Sequence, residues 1–492
     1  MFCDIIAVRY ASAFHRKNTK EENGVMHEKN RFLYSPFVII LLGILSFAAF
    51  AFSKELAFYS LVVAYALYVI AFSEDLSPIM PLFLLCYIAP SVSNNPGKSE
   101  DGVFYGESGL IMLALVSAVV IALLLRIIFD ANIGWRQFFK KPRMLLGGML
   151  ALGAVYLLSG IGSRGYIEDA KRNFVFALIQ FASVILLYYI FSATVDWERF
   201  DIDYFAWSGL VPGFVVLAEL IWIYLTRDIW LDGAVNRDAI YTGWGINHNM
   251  GAIMVTSIPF AFYFAGKKKH NSVYLILACI LFIGVLLSCS RSSVLFAAIV
   301  MFLSYIYTFV KTENKKEFGI TSAFLAVLLV ACGMMLWEKM MVVFGDIPSI
   351  ADSVDGEITF NTSGRFRIYK AAYERFLRNP ILGQGFYSRD YVFNEFSTVE
   401  KFSSFFPPRM HNTIIQILFT CGVVGLVAYL YHRGQTICLF VRRWSVERAY
   451  IAIYMMALLG MSLLDCHFFN VGPTLFYSIA LAVAEFGEDE CY

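Results

Sequence analysis

Residues 272–311 read SVYLILACILFIGVLLSCSRSSVLFAAIVMFLSYIYTFVK, and Arg291 is the only charged residue before Lys311. A helix rises 1.5 Å per residue and needs about 20 apolar residues to cross the hydrocarbon of a bilayer. The stretch therefore reads as two spans, 272–288 and 291–311, joined by Cys289-Ser290.

The same reading extends in both directions. Further spans are expected at 32–52, 56–73, 77–93, 108–129, 143–162, 173–194, 204–226, 248–266, 319–344, 412–432, 449–469 and 471–486. The predicted fold is an all-α polytopic membrane protein of about 14 (12 to 14) transmembrane helices, with one long extracytoplasmic loop containing amphipathic helices. Its parts are an N-terminal cytoplasmic tail 1–31, spans within 32–344, the large loop 345–411, spans within 412–486 and a short cytoplasmic tail 487–492. Composition agrees. Of the 492 residues, 59% are hydrophobic and 16% charged, with a mean hydropathy of +0.64. Soluble domains carry roughly 25% charged residues. A soluble enzyme, a secreted disulfide scaffold and a disordered chain are excluded. The net charge of +1 gives no basic field for nucleic acid. The nine cysteines form no CxxC pair and read as small core residues, and no metal cluster is evident.

Lys and Arg in the connections set the orientation. With the N-terminus inside, inner segments hold 22 basic residues and outer ones 17. Nine of the outer ones belong to the long loop with its flank, and long loops cross regardless of charge. The reading is N-in and C-in, which places loop 345–411 outside.

That loop is long enough to form a site. A helix is expected from about Gly364 to Arg378, capped by Ser363 and stopped by Pro380. Phe366, Ile368, Tyr369, Ala372, Tyr373, Phe376 and Leu377 fill one arc, so the helix suits a membrane surface. Its basic residues, Arg367 and Lys370 among them, suit lipid headgroups. Arg365 falls within the apolar arc and in the first turn, where a cation opposes the macrodipole at a cost of ~0.3–1 kcal/mol. A bound anion reverses that sign by meeting both the guanidinium and the free backbone N–H groups. Arg291 repeats the pattern after the N-cap candidate Ser290, with an interfacial anchor as its plainer reading. His411 precedes Asn412 and a clean span. A helix N-terminus disfavours imidazolium, so His411 suits either proton acceptance or simple capping. His248 and His467 are placed to line the same cleft, and Glu219 is an intramembrane carboxylate. Two cations suit a diphosphate, and a neutral histidine suits deprotonation of a hydroxyl. No P-loop or dinucleotide fingerprint occurs. An outward-facing transferase without nucleotide sugars needs a lipid-carried donor.

At these residues the sequence resembles the bacterial O-antigen ligase and O-antigen polymerase superfamily. The ligase pattern His-(Asn/Ser/Gln)-nine residues-Gly-two residues-(Gly/Thr/Tyr) is matched from His411-Asn412 through Gly422 to Gly425. Arg291 and Leu295 match Arg-three residues-Leu, and 363–386 resembles the segment before the histidine. The resemblance covers roughly 240–432. It implies metal-independent, cofactor-free and inverting transfer of a glycan from undecaprenyl diphosphate. Arg291 and Arg365 would hold the diphosphate and His411 would serve as base. Arg367, Tyr369, Asn412 and His248 are candidates for substrate contact. The acceptor is lipid A-core for a ligase, or a second lipid-linked repeat unit for a polymerase. The full patterns favour ligase, and fourteen spans rather than twelve lean towards polymerase. A lipid-linked oligosaccharide flippase is a second alternative, but it needs charged residues along a path, and only Glu219 and Asp465 offer themselves.

Overall fold

A computed structural model describes residues 31–73, 75–90, 106–129, 143–163, 170–231, 234–236, 239–267, 271–345, 352–354, 357–359, 365–386 and 410–487. The N-terminal tail, the last residues of the chain and most of loop 345–411 lie outside the described residues. The fold is helical. Its helices are α1 (Pro36–Phe52), α2 (Glu55–Phe72), α3 (Leu82–Ile88), α4 (Gly106–Phe129), α5 (Leu146–Leu158) and α6 (Ala170–Phe181), which continues through a π-turn into α7 (Leu187–Thr194). There follow α8 (Ile202–Thr226), α9 (Asn247–Lys267), α10 (Asn271–Leu287), α11 (Arg291–Lys311), α12 (Lys315–Gly345), α13 (Arg365–Phe376), α14 (Thr413–Arg442), α15 (Val446–Met461) and α16 (Val471–Phe486). Two short antiparallel pairs, Trp230–Leu231 with Ala234–Val235 and Asp352–Val354 with Glu357–Thr359, add the only strands among the described residues.

Among the described residues seven segments are long and apolar enough to cross a membrane, whereas α1, α5, α10, α16 and Ser77–Ile88 are apolar but shorter. Several of these helices are shorter than the expected spans. The clearest case is 449–469. Its helix stops at Met461, and 462–470 turns instead of completing a span. Ser462 accepts a bond from Thr413 N, while the Phe468 ring meets that of Tyr429. The segment after α15 is a compact turn that folds back on itself, with Phe468 N donating to Ser462 Oγ at 3.1 Å.

Helix α9 is the centre of the core, with 89% of its apolar window buried against 22% for Leu110–Ile128 on α4. Small residues allow its close packing. Ser257 of α9 donates to Gly209 O of α8 at 2.7 Å, and Gly213 leaves room for the Ser257 side chain. Gly251 makes the same room for Ser293 of α11.

Candidate functional site at one end of the bundle

Four helix ends meet. α9 and α11 are tied at their starts by His248, whose Nδ1 lies 3.1 Å from Ser290 Oγ. Ser290 is the N-cap expected for α11 and accepts from Ser293 N. The preceding Cys289 sits at φ +55°, in the left-handed region. Arg291 is the first residue of α11 and partly buried. Phe296 of α11 packs against Gly460 of α15, so the start of α11 adjoins the end of α15. The end of α15 in turn meets the start of α14, through Thr413 N donating to Ser462 O at 2.9 Å.

His411 stands at that junction, with φ +48°. A left-handed conformation in a non-glycine residue costs about 1–2 kcal/mol and needs its surroundings to hold it. Asn412 supplies part of the hold. Its Oδ1 caps α14 by accepting from Ile414 N and Ile415 N, and its Nδ2 donates to Leu463 O at 2.8 Å. Both ends of the Asn412 side chain are thus engaged with backbone.

Asp465 faces His411. Its Oδ1 lies 3.3 Å from His411 Nδ1 and its Oδ2 3.9 Å from His467 Nε2. The His411 contact has ion-pair distance without hydrogen-bond alignment; such contacts commonly tighten only when substrate binds. Burial works to raise the Asp465 carboxyl. The two imidazoles and the Cys466 N–H, which donates at 2.7 Å, overcome it and hold the group well below the usual carboxylate range. Once the pair is aligned, a carboxylate at Nδ1 fixes the tautomer and leaves Nε2 as the acceptor. Sequence reasoning considered Asp465 only as a residue on a transport path. Its signal as a site residue was a carboxylate two positions from a histidine, and only the turn after α15 reveals its partner.

The helix expected in loop 345–411 is anchored beside this junction. α13 runs from Arg365, close to the expected start, and buries Ala371 and Ala372 against Met410 and Phe419. Tyr373 and Leu377 of the expected apolar arc stay exposed. Tyr369 Oη donates to His411 O at 3.4 Å. Arg365 lies one turn before Tyr369 on the helix; the side chains of Arg365 and Arg367 lie outside the described residues. The stretch after α13 is locked into a break in α14. Gly422 has φ +67° and ψ −163°, a conformation open essentially only to glycine. The break frees backbone groups, and 380–385 satisfies them. Gln384 N and Gly385 N donate to Phe419 O and Thr420 O at 2.7 and 2.9 Å, and Val423 N donates to Pro380 O at 2.9 Å. Glu219 is fully buried, and its Oε2 accepts from Trp244 Nε1 at 3.0 Å. It thereby fastens α8 to the connection that leads into His248.

Helices of span length, with His411, Asp465 and His467 grouped at the junction of α14 and α15, define the class: a helical membrane protein with a polar group at one end of its bundle. Residues 275–430 match the family model for O-antigen ligase. The match covers about a third of the chain, and over those residues the chain is similar to that family. Arg291, Arg365 and His411 fall inside the matched residues, and Asp465, His467 and His248 outside them. No curated protein matches the chain.

Proposed function

We propose that the protein transfers a glycan from undecaprenyl diphosphate to an acceptor hydroxyl at the outer face of a bacterial inner membrane, with lipid A-core as acceptor. The chain lies N-in and C-in, with about 14 spans, and the His411 end faces the periplasm or exterior. The observation that carries this reading is His411 in its left-handed conformation with Asp465 at its Nδ1.

The acceptor hydroxyl gives its proton to His411 Nε2 as its oxygen attacks the anomeric carbon from the face opposite the diphosphate. The bond from that carbon to phosphate oxygen breaks, and undecaprenyl diphosphate leaves, which inverts the configuration. Arg291 and Arg365, each at the opening of a helix, hold the diphosphate and meet the charge that develops on it. The donor is already activated, so positioning supplies much of the rate and no metal is required. Arg367, Tyr369 and His248 contact substrate, and Asn412 serves the site by holding His411. Polymerisation onto a second lipid-linked repeat unit is the alternative.

Purified protein in nanodiscs with a labelled undecaprenyl-diphosphate glycan tests the reading. Release of undecaprenyl diphosphate, undiminished by EDTA, is expected with lipid A-core. Release only with a second lipid-linked unit replaces ligase by polymerase. Movement of donor across the bilayer without release rejects transferase for flippase.

A further inference from the structure

We propose that Gln416 is a positioning residue that sets the distance between His411 and Asp465; the inference rests on His411 acting as base. Gln416 lies one turn into α14 and is 4% exposed. Side chains on a helix lean towards its N-terminus, so the Gln416 amide reaches back past the cap. There its Oε1 accepts from Met410 N at 2.8 Å. The same oxygen accepts from Cys466 Sγ at 3.5 Å. Its Nε2 donates to Thr420 Oγ1 at 3.1 Å, which fixes the amide's orientation.

Met410 immediately precedes His411, and Cys466 immediately follows Asp465. One carbonyl oxygen thus ties the two chain segments on one flank of the pair. On the other flank Thr413 N meets Ser462 O, and Asn412 Nδ2 meets Leu463 O. His411 and Asp465 are bracketed between these ties. Without Gln416 the two segments pivot about the remaining bonds, and the strained backbone of His411 relaxes. Met410 and Cys466 are both fully buried, so water does not replace the lost acceptor. Thr420 connects the device to the outer loop, because its carbonyl accepts from Gly385 N at 2.9 Å in the α14 break.

The test compares turnover of a labelled undecaprenyl-diphosphate glycan by the full-length protein in nanodiscs. Gln416→Leu keeps the volume and removes the acceptor; kcat should fall about 10²-fold, the cost of an ångström of misplacement, with KM within about twofold. Gln416→Glu keeps an acceptor oxygen and should recover most of the rate. In an Asp465→Asn background, adding Gln416→Leu should lower kcat little further, because the distance it guards no longer matters. Equal losses in both backgrounds, or normal turnover of Gln416→Leu, overturn the proposal. If Gln416→Leu does not fold, Gln416→Asn takes its place: it stays polar but is one methylene short, and full kcat there is equally fatal. His411→Ala separates the two readings. Turnover surviving that change removes the base itself, whereas a dead His411→Ala beside a normal Gln416→Leu removes only Gln416.

Discussion

The two ends of the bundle spend their charged groups differently. At the end where α9 finishes and α15 begins, cations meet helix C-termini and carboxylates. Arg448 donates to Ala484 O and Gly487 O at 2.8 and 2.6 Å, past the last turn of α16. Arg126 donates to Val69 O, Ile70 O and Ser73 O at the end of α2. Lys267 pairs with Asp203 at 3.2 Å, and Tyr263 donates to the same carboxylate at 2.5 Å. These arrangements follow the helix dipole and satisfy terminal carbonyls. At the other end the order is reversed. Arg291 and Arg365 open helices, and two of the three non-glycine residues at positive φ among the described residues, Cys289 and His411, lie within two positions of site residues. One end satisfies its own helices. The other holds cations against the dipole and backbone against its preference, which is the arrangement expected where an anionic substrate completes the balance.

Substitutions sharpen that contrast. The largest effect is expected from His411→Ala and Arg291→Ala. Each should lower transfer at least about 10³-fold while the melting temperature stays within about 3 °C, since neither residue closes a helix end. Radiolabel transfer and a thermal-shift assay read the two quantities; a melting drop in step with activity would make this end structural like the other. Gly422→Ala comes next. A Cβ there overlaps the Ile381 carbonyl oxygen, and the backbone suits only glycine. Unfolding in nanodiscs should show about 3 kcal/mol or more of destabilisation. Gly434→Ala on the same helix meets open space and should stabilise by about 0.5–1 kcal/mol. Arg448→Ala should cost about 1.5–3 kcal/mol and leave turnover per folded molecule unchanged.

The smallest effect concerns pH. The folded Asp465 carboxyl lies below its ordinary value of about 3.9, so its stabilisation is fully present above that value. As pH falls below about 4 the unfolded chain takes up the proton first, and the stabilisation drains away. Between pH 5 and 8 Asp465 should contribute no slope. Asp465→Asn should flatten stability only on the acid side, and equal acid slopes in both proteins would contradict the ion-pair cluster.

The apolar runs, the cap Ser290 and the start of α13 were legible in the sequence, because hydrophobic patterning and capping act within a turn or two, whereas α14 is capped by Asn412 and not by His411. Helix lengths were less so. The 449–469 run is apolar enough to suggest one span, yet the Asp465 carboxylate is placed beside two histidines only by the turn after α15. Gly422 carried a pattern but not its cause, since a broken helix needs the 380–385 segment to fill it. Gln416, one polar residue in a long apolar helix, carried no local signal at all.

By itself the sequence determined that the chain lies in a membrane, that Arg291 and Arg365 open helices with their charge against the helix dipole, and that His411 stands just before another helix; each follows from residue type and spacing along one element. Only the tertiary structure decided which groups stand together: Asp465 at His411, Ser290 at His248, and the loop after α13 in the break of α14. Those pairings join residues far apart in the chain, and packing rather than local preference selects them, since each buried polar group must find its partner across elements.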